Sequence, residues 1–440
     1  MPRPYALRGS RLTTPAASPL PARQVDYWEL PPLYHRWKWR VLIAFCLFYV
    51  TNYLGRFNFS LVQAAVIQDL GVTRADTGWI NSWMFWGFAL GDLVHGRLGE
   101  KIGFRNLILA GAVGTSVFNV VASFGDTIPS LAVPWAIVGF VNASAWGPGL
   151  GLVAQWWPRR DRGRAIGLVG TSAGIALLVV WAVVPWVAAT WGWRAALRWP
   201  PLLLSLTGVL FYLAARDRPA ELGLPEYREA DQVSRDAEAS GGASENGLRA
   251  YLHLLGNWRF FIACHVKGLD NVVRYGIVSW APVYYAQAGG FTLQQMGWLT
   301  FAYPLGYLFG PIAGGLISDR CFKSNRAPVI VISAAISAAA TLGIALSPAD
   351  SIPLAVVLLM VGGFFVNMTP IQALAVDLAG RRLAGTAAGV LDAHGYIYGA
   401  VQAWFFGWLS LAVPDGWMWV FLVMAATRIL SVIAILRVRA

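Results

Sequence analysis

From Trp39 to near its end the chain is a succession of apolar runs about twenty residues long, parted by short polar or Gly- and Pro-marked breaks. A helix needs roughly 20 mostly apolar residues to cross bilayer hydrocarbon, and there each backbone polar group must be bonded within its own segment. Such a chain is confined to one fold class, all-α and integral to a membrane. Composition agrees: 57% of the 440 residues are hydrophobic, and the charged fraction of 13% is about half that of a soluble domain.

Apolar length and break signals place twelve spans, at 39–67, 76–98, 104–124, 129–157, 164–187, 195–216, 256–287, 293–318, 328–347, 352–376, 385–410 and 416–436. A net charge of +12 would point to nucleic acid in a soluble protein. Here the basic residues sit in loops between spans and orient the chain in the bilayer, so the expected partner is lipid, with no nucleic acid. Arg97, Lys101 and Arg105 surround the end of span two. Arg159, Arg160, Arg162 and Arg164 follow span four; Arg320, Lys323 and Arg326 follow span eight; Arg381 and Arg382 follow span ten. Loops after odd spans are nearly free of Lys and Arg, apart from Arg74, Arg194 and Arg198. By the positive-inside rule a multi-pass protein of the cell (inner) membrane is expected, with both termini cytoplasmic.

Residues 1–37 carry Arg3, Arg8, Arg11 and Arg23 without the apolar core of a signal peptide, which predicts a cytoplasmic tail. Cys46, Cys264 and Cys321 lie in or at the ends of separate spans, without metal-ligand spacing. Neither metal nor cofactor is expected.

The polar stretch 217–252 has too few apolar residues to fold alone and divides the chain into bundles 38–216 and 253–440. Landmarks recur across it. Arg56 in span one answers to Arg274 in span seven, and Gly96, Glu100 and Lys101 after span two answer to Gly315, Asp319 and Arg320 after span eight. The Gly163-Arg-Ala-Ile-Gly167 opening of span five answers to Gly385-Thr-Ala-Ala-Gly389 in span eleven. Two parallel six-helix repeats imply a site near the bilayer midplane, between the halves.

Arg56 and Arg274 are both mid-span, where a charge costs ~3 to ~17 kcal/mol and persists only against a partner or a cavity. Arginine stays charged and presents a planar fork matched to phosphate or carboxylate. Two forks at equivalent repeat positions predict a site for a small oxyanion.

Four strings carry a family resemblance: RYGIVSWAPVYY in span seven, GRFNFSL in span one, the ISDR…NR loop after span eight, and RRLAGTAAG before span eleven. The chain resembles the organophosphate:phosphate antiporter family of the major facilitator superfamily from about Trp37 to near its end. The resemblance implies that Arg56 and Arg274 bind a phosphoryl group, with inorganic phosphate as counter-substrate. Members that carry glycerol 3-phosphate also line the site with a lysine in span two and a histidine in span five. Asp92 and Ala173 stand at those positions here.

Asp92 in span two and Lys267 and Asp270 in span seven suggest a charge network, with Asp270 in helical register to pair with Lys267 or Arg274. Such carboxylates are expected either to balance internal charge or to meet a cationic substrate group or a proton. Asp392 and His394 in span eleven form a second candidate pair, since histidine changes charge near neutral pH. Tyr53, Tyr275, Trp280 and Tyr396 are aromatic candidates for the site. Glu100 and Asp319, followed by Lys101 and Arg320, are candidate gating pairs that form in one state and break in another.

The function expected is secondary transport of a small organic anion by a monomer, an organophosphate or phosphonate exchanged for phosphate. Two alternatives stand beside it: a proton-coupled symporter of a carboxylate or other organic anion, and a transporter-like sugar-phosphate sensor. No residue constellation supports an enzyme, and no Walker motif supports nucleotide-driven transport.

Overall fold

The computed structural model describes residues 30–225, 254–323 and 325–438. The N-terminal tail before residue 30 and most of the linker lie outside the described residues, and those described form helices without strands. Span one is Pro32–Asn52, a short 3-10 turn at Tyr53–Gly55, and Asn58–Leu70. It begins inside the stretch read as tail, with Pro32 supplying a preformed first turn. Spans two, three, five and six are Arg74–Ile102, Phe104–Ala122, Arg159–Trp191 and Trp193–Ala214. Span four is broken into Ile128–Asn142 and Trp146–Trp156.

In the second half, span seven is Trp258–Gln287, span eight is Leu293–Thr300 followed by Ala302–Cys321, and span nine is Arg326–Leu346. Span ten starts as Ile352–Asn367 and breaks at Met368–Pro370. The helix Ile371–Ala412 then holds both the rest of span ten and span eleven. Gln372 Nε2 donates to Asp392 Oδ2 at 3.0 Å, whereas a straight helix would set these residues ~30 Å apart. The chain therefore reverses between them, as two membrane spans require. Gly416–Leu436 is span twelve.

The internal repeat reappears in the packing. Spans two and four, three and six, and one and six meet in the first half; spans eight and ten, nine and twelve, and seven and twelve meet in the second. Glycines set the first of these pairs. A Cβ on Gly87 would lie 2.1 Å from the Ala136 carbonyl, and one on Gly306 would lie 2.0 Å from the Met360 carbonyl. On the facing helices, Gly139 and Gly363 are pressed equally close, against the Met84 and Tyr303 carbonyls. Without an aqueous hydrophobic effect between helices, such close backbone approach is what holds them together.

Between the halves, span two packs on span eleven, span five on span eight, and the second helix of span one on span seven. Exchanging the two repeats maps span two–span eleven onto span eight–span five, so the interface has the symmetry of a pseudo-two-fold axis along the membrane normal.

An even span count places both ends of the helical region on one face, the terminal face. At the opposite face the halves are pressed together. Arg74 Nη1 donates to Ser410 O at 2.9 Å, and Trp181 Nε1 donates to Thr300 Oγ1 at 3.1 Å. A Cβ on Gly78 would lie 2.4 Å from the Ala403 carbonyl, and one on Gly407 would lie 2.5 Å from the Arg74 carbonyl. Along span five the contact ends as the chain is followed back toward the terminal face. Gly174 abuts Leu308, while Gly170, Gly167 and Gly163, on the same helical stripe, would each present a Cβ to open space. The halves diverge toward the terminal face.

Candidate functional site

Arg56 is placed by the break in span one. The 3-10 turn ends the first helix and frees the Gly55 carbonyl, which accepts from Asn119 Nδ2 at 2.9 Å. Asn58 Nδ2 donates in turn to Asn119 Oδ1 at 2.8 Å. Span three thus bonds the interrupted backbone, the condition on which irregular chain is tolerated at membrane depth.

The Arg56 guanidinium sits 3.9 Å from the Phe88 ring centre, with Phe57 at 4.8 Å, Tyr396 at 5.1 Å, Tyr275 at 5.7 Å and Tyr53 at 5.8 Å. Its Nη2 donates to the hydroxyls of Tyr396 at 3.0 Å and Tyr275 at 3.2 Å, both from the other half. Its Nε is buried without a partner. No carboxylate lies within 4.0 Å of it among the described residues, so its charge is solvated by aromatic faces and neutral phenols.

Arg274 rises from unbroken span seven beside this cluster. Its guanidinium is 5.5 Å from the Tyr275 ring centre and 4.9 Å from that of Tyr307, and it makes no hydrogen bond or ion pair among the described residues. Tyr53, Tyr275 and Tyr396 are electrostatic neighbours of both arginines. The structure therefore brings Arg56, Arg274 and these three tyrosines into one cluster on the boundary between the halves.

One helical turn nearer the terminal face lies a second layer of charge. Asp92 follows Phe88 by one turn, and Asp392 precedes Tyr396 by one turn. Lys267 Nζ pairs with Asp392 Oδ1 at 3.3 Å and lies 3.5 Å from Gln372 Oε1. Asp92, partly exposed, makes no hydrogen bond or ion pair among the described residues; the charges acting on it are Asp392, Arg56 and Lys267.

Three expectations are corrected. Asp270 pairs with neither Lys267 nor Arg274. Its Oδ1 accepts from Arg428 Nη1 and from Ser431 Oγ of span twelve, Arg428 being fully buried. Asp392 and His394 are not a pair, because residues two apart on a helix point to different sides. Asp392 takes Lys267, while His394 Nδ1 is 3.1 Å from the Val390 carbonyl and its ring is 6.0 Å from that of His265. Trp280 lies away from the arginines, fully buried at the opposite face against Gly78, Gly407 and Trp417.

Of the loop residues, Asp319 pairs with Arg326 at 2.7 Å, and Arg320 is exposed. Glu100 and Lys101 are exposed beside a cleft that also holds Gly103 and Asp217, while a Cβ on Gly96 would meet only open space. Asp217 Oδ1 accepts the backbone N–H of Arg105 at 2.8 Å, and burial pushes its carboxyl above the ordinary value. Arg428, His265, Tyr398, Gln372, Phe88 and Tyr307 escape the sequence reading. Of these, Arg428 and His265 carried a signal, as ionisable residues within spans twelve and seven. His265 Nδ1 lies 2.8 Å from the Tyr398 hydroxyl.

Comparison with known proteins fits this geometry. The family model of the Major Facilitator Superfamily matches residues 45–293 and again 268–440. The chain belongs to the major facilitator superfamily. It is similar to the membrane sensor protein UhpC of Escherichia coli strain K12, at 26% identity over 417 residues, covering 93% of this chain and 92% of that protein. It is also 26% identical over 396 residues to the glycerol-3-phosphate transporter of Bacillus subtilis strain 168, covering 86% and 87%. These relatives match the organophosphate:phosphate antiporter family that the span-seven and span-one strings resemble. In fold, the chain is similar to a bacterial homolog of the human lysosomal transporter Spinster in an inward-facing, unoccupied conformation. The TM-score is 0.71 at 14% identity, over 91% of this chain and 95% of that one. The helices compose the fold of this superfamily.

Proposed function

We propose that this chain moves a small organophosphate or phosphonate across the cell membrane by alternating access, in exchange for inorganic phosphate. The observation that carries the reading is the pair of mid-membrane guanidinium groups, Arg56 and Arg274, whose contacts among the described residues are phenols and ring faces. Two uncompensated cations in a low-dielectric site attract a dianion strongly, and the planar forks suit a phosphoryl headgroup. A bound anion offsets the positive charge of the site and lowers the barrier to closing the halves around it; a positively charged site without its anion resists closure. Exchange follows without a separate coupling ion. The names of the relatives, a glycerol-3-phosphate transporter among them, favour the same class of cargo.

With both termini cytoplasmic, as the loop charges predict, the packed opposite face is the external gate in its closed state. The site then faces the cytoplasm.

A second reading rests on Asp92, an unpaired carboxylate at membrane depth: symport of an organic anion with a proton. Proteoliposomes separate the two. Exchange predicts that uptake of labelled phosphate requires phosphate or a phosphate ester inside and ignores the proton gradient. Uptake that collapses with the gradient and disregards internal phosphate selects symport. Ligand binding without flux would mark a sensor. Arg274→Lys and Arg56→Lys each replace a fork by a point charge and are expected to reduce exchange at least tenfold; near-normal exchange in Arg274→Lys overturns the assignment.

A further inference from the structure

The layer beneath the arginines carries information about the cargo that a phosphoryl site alone does not. Lys267 and Asp392 balance each other at 3.3 Å. Among the described residues of these two layers, Arg56, Arg274 and Asp92 have no ion-pair partner; with Asp92 ionised, as a cation beside it would favour, they carry one net positive charge. A phosphate ester headgroup brings about 1.5 to 2 negative charges. An organophosphate with no other charge therefore overfills the site and leaves its organic end against a bare carboxylate.

Position matches charge. Asp92 is one turn from Phe88 along span two, and Phe88 is the ring closest to the Arg56 guanidinium. The Asp92 backbone is thus set about 6 Å along span two from that of Phe88, toward the terminal face, a separation on the scale of a two- or three-carbon chain. Asp392 faces the same layer but is already committed to Lys267 and Gln372. Of the carboxylates described in this layer, Asp92 is the one without a hydrogen-bond or ion-pair partner.

We propose that the cargo is zwitterionic, a short-chain phosphonate or phosphate ester bearing an ammonium group. Its oxyanion is held by Arg56 and Arg274 and its ammonium by Asp92. This assignment rests on the oxyanion reading above. It gives Arg56, Arg274 and an ionised Asp92 electroneutrality on binding and places a charge partner on each of the three.

The test compares two ligands that differ only in the amine. Binding of 2-aminoethylphosphonate and ethylphosphonate to the purified full chain is measured by isothermal titration calorimetry, for the wild type, Asp92→Asn and Arg274→Ala. The wild type is expected to bind the amino compound at least tenfold tighter. Asp92→Asn should weaken the amino compound at least tenfold while tightening ethylphosphonate, since a repulsive carboxylate has gone. Opposite signs in one variant cannot come from a folding defect. Equal affinities in the wild type, or equal weakening of both ligands in Asp92→Asn, overturn the ammonium subsite. If both ligands bind the wild type equally and both are lost in Arg274→Ala, the oxyanion reading stands and only the subsite falls. If neither phosphonate nor inorganic phosphate binds the wild type, both fall together.

Discussion

Gly78 offers the sharpest test of how the two halves move. It lies near the start of span two, on the packed opposite face, where a Cβ would sit 2.4 Å from the Ala403 carbonyl oxygen and 3.1 Å from Trp280 Cζ2. A carbon–oxygen contact becomes comfortable at roughly 3.3 to 3.6 Å, so Gly78→Leu must drive two backbones apart by ~1 Å before the rest of its side chain is housed. Overpacking of this kind costs ~1 to 3 kcal/mol. The cost falls only on the state in which spans two and eleven touch at this face, because in the alternate state the halves separate there. The equilibrium should move toward that alternate state by about 5- to 150-fold. Spin labels on Asp126→Cys and Asp350→Cys, exposed on the opposite face in the first and second halves, report the separation once Cys46, Cys264 and Cys321 are replaced. Pulsed electron–electron resonance should show a longer-distance population in Gly78→Leu that is minor in the parent. An unchanged distribution from well-folded protein would refute the closed-face geometry.

Other consequences follow from single contacts. Arg428→Ala strands Asp270 in a buried site and should destabilise the fold by about 3 to 5 kcal/mol, whereas the double change Asp270→Leu with Arg428→Met should lose much less; thermal unfolding in detergent measures both. Asn119→Ala removes the donor to the Gly55 carbonyl and should cost ~1 to 3 kcal/mol, with weaker phosphate binding by calorimetry because Arg56 loses its fixed break. Lys267→Ala and Asp392→Ala should each impair exchange in proteoliposomes, while the double variant is no worse than either single one, the signature of an interacting pair.

Much of this molecule is legible in the sequence because bilayer physics leaves few choices. Apolar length fixes the spans, and span twelve runs from residue 416 to 436 in the structure as in the reading. The arginines outside the positive-inside pattern show why charge counting alone is incomplete. Arg194 is held by Asp69 and Asp126, each at 2.5 Å; Arg198 donates to Ser123 Oγ at 2.7 Å; Arg74 donates to Ser410. Partners in other loops or spans, invisible to a window of sequence, offset each of these exceptions. The same limit hid the true partner of Asp270. Helical spacing shows which residues share a face of one span, but the choice between Lys267, Arg274 and Arg428 belongs to packing between spans seven and twelve. Likewise Asp392 and His394 are neighbours in sequence, yet their partners come from span seven and the helix backbone.

The cage around Arg56 also bears on how an empty transporter differs from a loaded one. Arg56 belongs to the first half and its two hydrogen-bond acceptors, Tyr275 and Tyr396, to the second, so these bonds tie the halves together at mid-membrane depth. Each such bond has a charged donor and contributes about 1.5 to 3 kcal/mol net. A phosphoryl oxygen puts charge on the acceptor as well as the donor and accepts both arms of the fork. The phenols are thus placeholders, strong enough to orient the guanidinium and weak enough to be displaced. Tyr275→Phe and Tyr396→Phe separate these roles. If the hydroxyls only hold the place, removing one should loosen the empty-site bridge without abolishing anion binding, and the rate of counterflow should change more than the affinity. If the hydroxyls themselves recognise the cargo, calorimetry will show affinity falling by tenfold or more in step with transport.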